Sequence, residues 1–215
     1  MESRSQVVFH DRAEAGRLLG RRLKHLRGED LVVLGLPRGG VPVAFEVARE
    51  LGAPLDVIVV RKLGVPWHPE LAMGAVGEGG ALVLNRSLVE RLGVSDREVL
   101  LAESRARAEL EERVRRLRQG RDPLDLEGRA AVVVDDGIAT GATAQVACEV
   151  ARHLGARRVV MAAPVGPPDV LPEVGGADEV VLLETPEPFV AVGRHYRDFA
   201  PTTDEEVAAL LAEAS

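Results

Sequence analysis

Five short apolar runs, at 31–36, 55–60, 131–134, 158–164 and 179–183, punctuate the chain. They are rich in Val, Leu and Ala and show no polar alternation, the pattern of strands covered on both faces of a parallel sheet. Between them the period changes to that of helices. Asp11-Arg12-Ala13-Glu14 resembles a capping box and predicts an amphipathic helix ending near Gly28. A second helix is expected to begin near Pro42, because proline fits the first helical turn. From 96 to 118, Val99, Ala102, Ala106, Leu110, Val114 and Leu117 recur at helical spacing, while Glu103/Arg107, Glu109/Arg113 and Glu111/Arg115 are spaced for i,i+4 pairs. That charged face reads as solvated, with a dimer contact as the other use for it.

Strands alternating with helices call for right-handed crossovers, and so for an α/β fold with a mostly parallel sheet flanked by helices. Residues 72–78 and 81–85 read as a hairpin around Gly79-Gly80, and Val65-Pro66-Trp67-His68-Pro69-Glu70 before it reads as irregular.

Composition narrows the picture. A chain of 215 residues that is 46% hydrophobic has enough apolar material for one sizeable core, and no Pro-, Ser- or Gly-rich linker divides it. One domain spanning 1–215 with a small cap is expected. A net charge of −7 argues against general nucleic-acid binding, which needs a basic face. The start, Met1-Glu2-Ser3-Arg4, leads into no leader-type apolar run, and no stretch reaches membrane-spanning length, so a cytoplasmic protein with no membrane partner is expected. Cys148 is the single cysteine, which rules out intrachain disulfides and reads as a small buried hydrophobe. His10, His25, His68, His153 and His195 show no metal-ligand spacing, so no structural zinc is expected.

The candidate chemistry lies after the 131–134 run. Asp135 and Asp136 fall at the carboxyl end of that strand, where open α/β sheets place their ligands. Ionised carboxylates only accept hydrogen bonds, so a neighbouring pair suits the vicinal hydroxyls of a ribose and would repel a phosphate. Ala139, Thr140, Gly141, Ala142 and Thr143 follow, small enough for backbone N–H groups to approach an anion at the start of the next helix, with two hydroxyls as further donors. No Walker pattern occurs.

This strand, acid pair and T-G-x-T loop closely resemble the phosphoribosyl diphosphate signature of the type I phosphoribosyltransferases. The resemblance implies that family's fold, with a small hood built partly from about 185–203. It also implies transfer of a 5-phosphoribosyl group from phosphoribosyl diphosphate (PRPP) to a small nitrogen-base acceptor, releasing pyrophosphate. In the family's terms Asp135 and Asp136 contact the ribose, and residues 139–143 hold the 5-phosphate. Magnesium is expected through substrate oxygens and water, with no direct protein ligand. Hypoxanthine-guanine enzymes generally carry an aspartate where this chain has Ala139, which makes a 6-oxopurine a poor fit.

The loop Pro37-Arg38-Gly39-Gly40 looks like the family's pyrophosphate loop, with Arg38 as its basic residue, Gly39 allowing close approach, and a non-proline cis peptide at Pro37-Arg38; alone, P-R-G-G is also an ordinary turn. Lys62 is one of only two lysines, a candidate for charge on the pyrophosphate with Arg61 as its understudy, although compositional drift accounts for a lone lysine equally well. Type I enzymes carry a mobile loop near here, which makes Trp67 and His68 candidates for a cover, against a packing tryptophan and a surface histidine. Phe189 and Tyr196 stand out in a chain with 3% aromatics and are candidates for a base pocket, against ordinary packing. R-K-L-G-x-P with P-E-L-A-M-G-A-V is similar to a little-characterised branch of predicted phosphoribosyltransferases. A binding or regulatory protein on the same fold, or a sugar-phosphate hydrolase, is the alternative function.

Overall fold

The computed structural model describes residues 8–214, so the N-terminal stretch in which a leader was sought, 1–7, lies outside the described residues. In chain order the elements are α1 (Arg12–Arg22), β1 (Leu31–Gly35), α2 (Gly40–Leu51), β2 (Leu55–Val57), β3 (Val60–Val65), β4 (His68–Gly77), β5 (Leu82–Leu84), α3 (Arg86–Leu92), α4 (Asp96–Arg118), β6 (Ala130–Val134), α5 (Ala142–His153), β7 (Arg158–Val165), β8 (Glu179–Glu184) and α6 (Asp204–Glu213). Five of the strands form a parallel sheet in the order β2-β1-β6-β7-β8, and β3-β4-β5 form a separate antiparallel sheet. Every residue of β1 and β6 is buried, as continuous apolar runs require.

Period-2 alternation then divides the core into two layers. Leu31, Val33, Val132, Val134, Val160 and Ala162 face a layer completed by α1, α2, α4 and α6, whereas Val32, Leu34, Ala131, Val133, Val159 and Met161 face the layer completed by α5. Cys148 is fully buried in the second layer. Among the described residues, no helix is long and apolar enough to cross a membrane.

Four expectations are corrected. The first helix stops at Arg22 and gives way to a 3-10 turn at Lys24–Leu26, short of Gly28. The 55–60 run is not one strand: β2 ends at Val57, and Val60 already belongs to the antiparallel sheet. Ile58 and Val59 are as buried as strand residues, so an apolar run carried no trace of the change of sheet. The hairpin around Gly79-Gly80 exists as β4–β5, but β4 starts at His68, and β3 pairs with it antiparallel through shifts in register at Gly64. Finally, of the three ion pairs expected along α4 only Glu103–Arg107 forms, at 2.6 Å. Glu109 is drawn to Arg61 of β3 and Arg113 to Asp204 of α6, at 3.4 Å, because tertiary partners outcompete the helical neighbour. The face read as solvated therefore meets other elements along part of its length.

The crossing from β2 to β3 is pinned by a buried ionic cluster. Arg118, at the end of α4, donates to both carboxylate oxygens of Asp56, at 3.0 and 3.1 Å, and also pairs with Glu78. Asp56 further accepts from the backbone N–H of Val57 and Leu124, and Glu78 from that of Val59. Burial acts against the charge on Arg118, but the two carboxylates outweigh it and hold its pKa up. Arg118→Ala would leave two carboxylates uncompensated, and a loss of about 3–5 kcal/mol is expected in chemical denaturation. A loss within about 0.5 kcal/mol, typical of a surface site, would show that the cluster does not hold the arm.

Candidate functional site

β1 and β6 are in-register neighbours, with Gly35 opposite Val134, so the loops that follow them leave the sheet side by side at its carboxyl edge. The Leu36 N–H donates to the Val134 carbonyl at 2.9 Å and carries the pairing one step beyond the strands. The Pro37-Arg38 peptide is cis, as expected from the resemblance. A Cβ on Gly39 would lie 2.1 Å from Asp136 Oδ2, and one on Gly40 would lie 2.6 Å from the Val134 carbonyl oxygen, so only glycine lets the two loops touch.

Both loops end in helices left without a side-chain cap. Asp11, Asn85, Ser95 and Thr203 cap α1, α3, α4 and α6 by accepting from the backbone N–H three residues on. α2 and α5 instead begin at Gly39 and Gly141, which have no side chain to offer. Gly141 is in the left-handed region at φ 76°. Within the described residues, the N–H groups of Ala139, Thr140, Gly141, Ala142, Thr143 and Ala144 make no hydrogen bond, nor do those of Arg38 and Gly39. Ala139, Thr140, Ala142 and Thr143 are exposed. Open N–H groups at a helix start are a ready anion site.

Beside this donor-rich edge sit the two acids, each partly open to solvent. Asp135 Oδ1 accepts from the Asp136 N–H at 2.9 Å, and Asp136 Oδ2 accepts from Arg12 Nε at 2.9 Å. Burial, and then the neighbouring Asp136 charge, push Asp135 up to about 8. Burial also raises Asp136, but Arg12 opposes it. Among the described residues no group of three His, Cys, Asp or Glu side chains is disposed to hold a metal ion.

The other sequence-predicted residues fall into two groups. Arg38 is exposed at the loop edge, with Nη1 3.9 Å from Asp204 Oδ1. Lys62 and Arg61 point to opposite faces of β3. Arg61 pairs with Glu109 of α4 on the face opposite Lys62. Lys62 shares the other face with its partner Ala75 and with Gly77, which packs on Val150 of α5. No ion pair engages Lys62 among the described residues. Gly79 packs on Leu154, so the direction from Gly79 through Gly77 to Ala75 runs along α5 toward its open start, and Lys62 shares that face of the sheet. Trp67, 58% exposed, and His68, also exposed, occupy the β3–β4 turn.

Tyr196 is corrected from a base-stacking residue to a support. It is buried, its ring packs on Phe9 and Phe199, and its hydroxyl donates to the Asp136 carbonyl at 2.6 Å. Phe189 is half-buried and stacks on His195.

No family model matches the sequence. Two curated proteins of Mycobacterium tuberculosis strains, both provisionally named phosphoribosyl transferase, are 56% identical to the chain over 208 residues, or 96% of its length. The chain spans 47% of those relatives. The crystal structure of TT1426 from Thermus thermophilus is 47% identical, covers 97% of this chain and is itself 99% covered, with a TM-score of 0.86. Over nearly its whole length the chain is thus similar to proteins provisionally named phosphoribosyl transferase.

One residue at this site was not foreseen. Arg12 reads in the sequence as an ordinary member of an amphipathic helix, and nothing in its spacing marks it for Asp136, 124 residues away. Its place in the first turn of α1, next to the Asp11 cap, was the one hint of a fixed position.

Two outcomes follow. Gly39→Ala is expected to displace Asp136 and weaken ligand binding while the fold persists by circular dichroism; unchanged binding would mean that the loops separate freely. For Asp135→Asn the sign follows from linkage: between its ordinary 3.8 and about 8 the unfolded chain has released a proton that the folded chain keeps, so wild-type stability falls as pH rises through that window. The asparagine variant should therefore melt above wild type near pH 8.5, with the gap closing toward pH 4. A gap that does not change with pH would contradict the buried-acid assignment.

Proposed function

We propose that this chain transfers a 5-phosphoribosyl group from PRPP to a small nitrogen-base acceptor and releases pyrophosphate. The observation that carries the reading is the juxtaposition at the sheet's carboxyl edge: two uncapped helix starts flank one pair of acids, which matches a ligand with an anion at each end and a diol between them. The N–H groups of 139–144 receive the 5-phosphate, with Thr140 and Thr143 adding hydroxyl donors. Asp135 and Asp136 contact the ribose hydroxyls, Asp136 as acceptor and Asp135, which keeps its proton below about pH 8 in the free protein, also able to donate. The Arg38-Gly39 N–H groups, the Arg38 guanidinium and Lys62 take the diphosphate.

The reaction breaks the bond from the ribose anomeric carbon to the diphosphate oxygen, whose electron pair leaves with pyrophosphate. The acceptor nitrogen's lone pair forms the new bond, and its proton passes to solvent. Fixed donors at the leaving oxygens stabilise charge that develops only as that bond breaks. The donor set fits magnesium as an ion carried in by the diphosphate: the nearby protein oxygens are two carboxylates already engaged by Arg12 and a backbone N–H, which leaves water-mediated contact. Bound there, the ion supplies charge neutralisation. Alanine at 139 leaves the acceptor without an acidic partner at that position, against a 6-oxopurine.

The test is pyrophosphate release from PRPP and magnesium over a panel of purine, pyrimidine and other nitrogen acceptors, with a no-acceptor control. Release that needs one acceptor, and falls about a hundredfold or more in the Asp135→Asn, Asp136→Asn double variant, is expected on the scale of losing fixed transition-state contacts. Release without acceptor would instead mean a hydrolase; saturable PRPP binding with no release would favour a regulator or an acceptor outside the panel.

The β3–β4 turn supplies an independent readout, because Trp67 is the only tryptophan and is 58% exposed. If that turn folds over the bound donor, as lids that exclude water do, PRPP with magnesium should shift its emission to the blue. Emission unchanged at saturating PRPP would remove Trp67 and His68 from any cover.

A further inference from the structure

We infer that Arg12 is a positioning residue that assigns different states to the two acids, holding Asp136 ionised and oriented for the ribose while Asp135 is left without a cation. This rests on the reading proposed above for that site.

The guanidinium of Arg12 is fixed on three sides. Nε donates to Asp136 Oδ2 at 2.9 Å, Nη1 donates to the Ala200 carbonyl at 2.8 Å, and Cζ lies 4.0 Å from the centroid of the Phe199 ring. Its side chain is only 12% exposed. A planar fork can meet a carboxylate, a carbonyl and a ring face together, which a flexible ammonium cannot. The ion pair is made with one acid only: Asp135 accepts from a backbone N–H, no salt bridge reaches it among the described residues, and the Arg12 charge acts on it as the last and weakest influence.

The groups facing Asp136 are few. Asp135 comes from the same loop, Arg12 from α1 and the Tyr196 hydroxyl from the 185–203 segment, where it donates to the Asp136 carbonyl. The 37–40 loop brings only the backbone of Gly39 against it, while the Arg38 guanidinium faces Asp204. Removing Arg12 therefore leaves two carboxylates in a mostly buried setting with no cation between them, and such a pair retains a shared proton to higher pH. A protonated acid donates its hydrogen bond instead of accepting from both hydroxyls.

Arg12 also ties the acid to the 185–203 segment, through Ala200 and Phe199. A purely structural anchor would show the same contacts, so the test must read the proton. Carboxyl ¹³C titration of aspartate-labelled protein without ligand, with Asp135→Asn and Asp136→Asn for assignment, is compared in wild type, Arg12→Met and Arg12→Lys. Arg12→Met should raise the Asp136 titration by about one to three pH units, with Arg12→Lys between it and wild type. In pyrophosphate release, Arg12→Met should raise KM for PRPP about tenfold at pH 7 and recover as pH rises. An unchanged Asp136 titration in both variants overturns the inference, as does a KM increase that stays constant with pH. If wild type releases no pyrophosphate, the proposed activity fails, while the ligand-free titration still decides the role of Arg12.

Discussion

The site depends on one pairing: β1 and β6 lie in parallel register, with Gly35 opposite Val134. Parallel neighbours send their carboxyl ends the same way, so the two loops emerge abreast. Everything chemical about the edge follows from their closeness. Gly39 touches the Asp136 carboxylate, Gly40 lies on the Val134 carbonyl, and neither position has room for a side chain. A sheet order with another strand between β1 and β6 would separate the two helix starts by roughly an extra strand spacing of about 4.8 Å. The acids would then lack one of the two donor sets that flank them.

Electrostatically the edge is divided against itself. Burial raises the pKa of both acids, and the Asp136 charge raises Asp135 further, a cost borne in the ligand-free protein. The neighbouring N–H groups are open and the two helix dipoles point outward there, which is equally a cost in backbone hydrogen bonds left to water. A ligand with anionic ends and a neutral hydroxylated middle relieves both at once, whereas a ligand anionic throughout would meet the acids. Open donors and a buried acid pair within one loop contact fit a ligand better than the needs of the fold, since α1, α3, α4 and α6 are all capped conventionally, even where α1 and α6 start close to this edge.

What could be read in the sequence was what is local in the chain. The 131–134 run, the acids, the small loop and the helix after them are consecutive, and their order alone places them at a strand's carboxyl end. The three strands β6, β7 and β8 came out within a residue or so of the apolar runs for the same reason. The failures are non-local. Arg61 and Lys62 are adjacent, and which of them faces α5 depends on the pairing of β3 with β4, a strand whose start was hidden by two prolines and a register shift. Tyr196 was noticed for being aromatic in a chain poor in aromatics, but its hydroxyl is committed to the Asp136 carbonyl 60 residues away. Two helices, α3 and α6, are absent from the sequence expectations although Asn85, Gly93 and the Thr203/Glu206 capping box mark their ends; each is short, with too few turns to show a clear apolar period.

The two structures outside the parallel sheet are joined to it by the same device. At one end Arg118 fixes the β3–β4–β5 arm through Asp56 and Glu78; at the other Arg12 fixes the 185–203 segment through Asp136, Ala200 and Phe199. Both arginines are nearly buried, and both use the planar fork to engage several acceptors together. The difference lies in what they hold. Arg118 satisfies acids remote from the open helix starts, so its cluster can be fully paired and rigid. Arg12 holds Asp136 by one oxygen, and the other makes no hydrogen bond among the described residues, as the proposed ribose contact requires. A fold that needed only to anchor the segment would pair that carboxylate completely. The incomplete pairing at Asp136, beside the complete pairing at Asp56, is what the proposed binding role of the first acid and the structural role of the second lead one to expect.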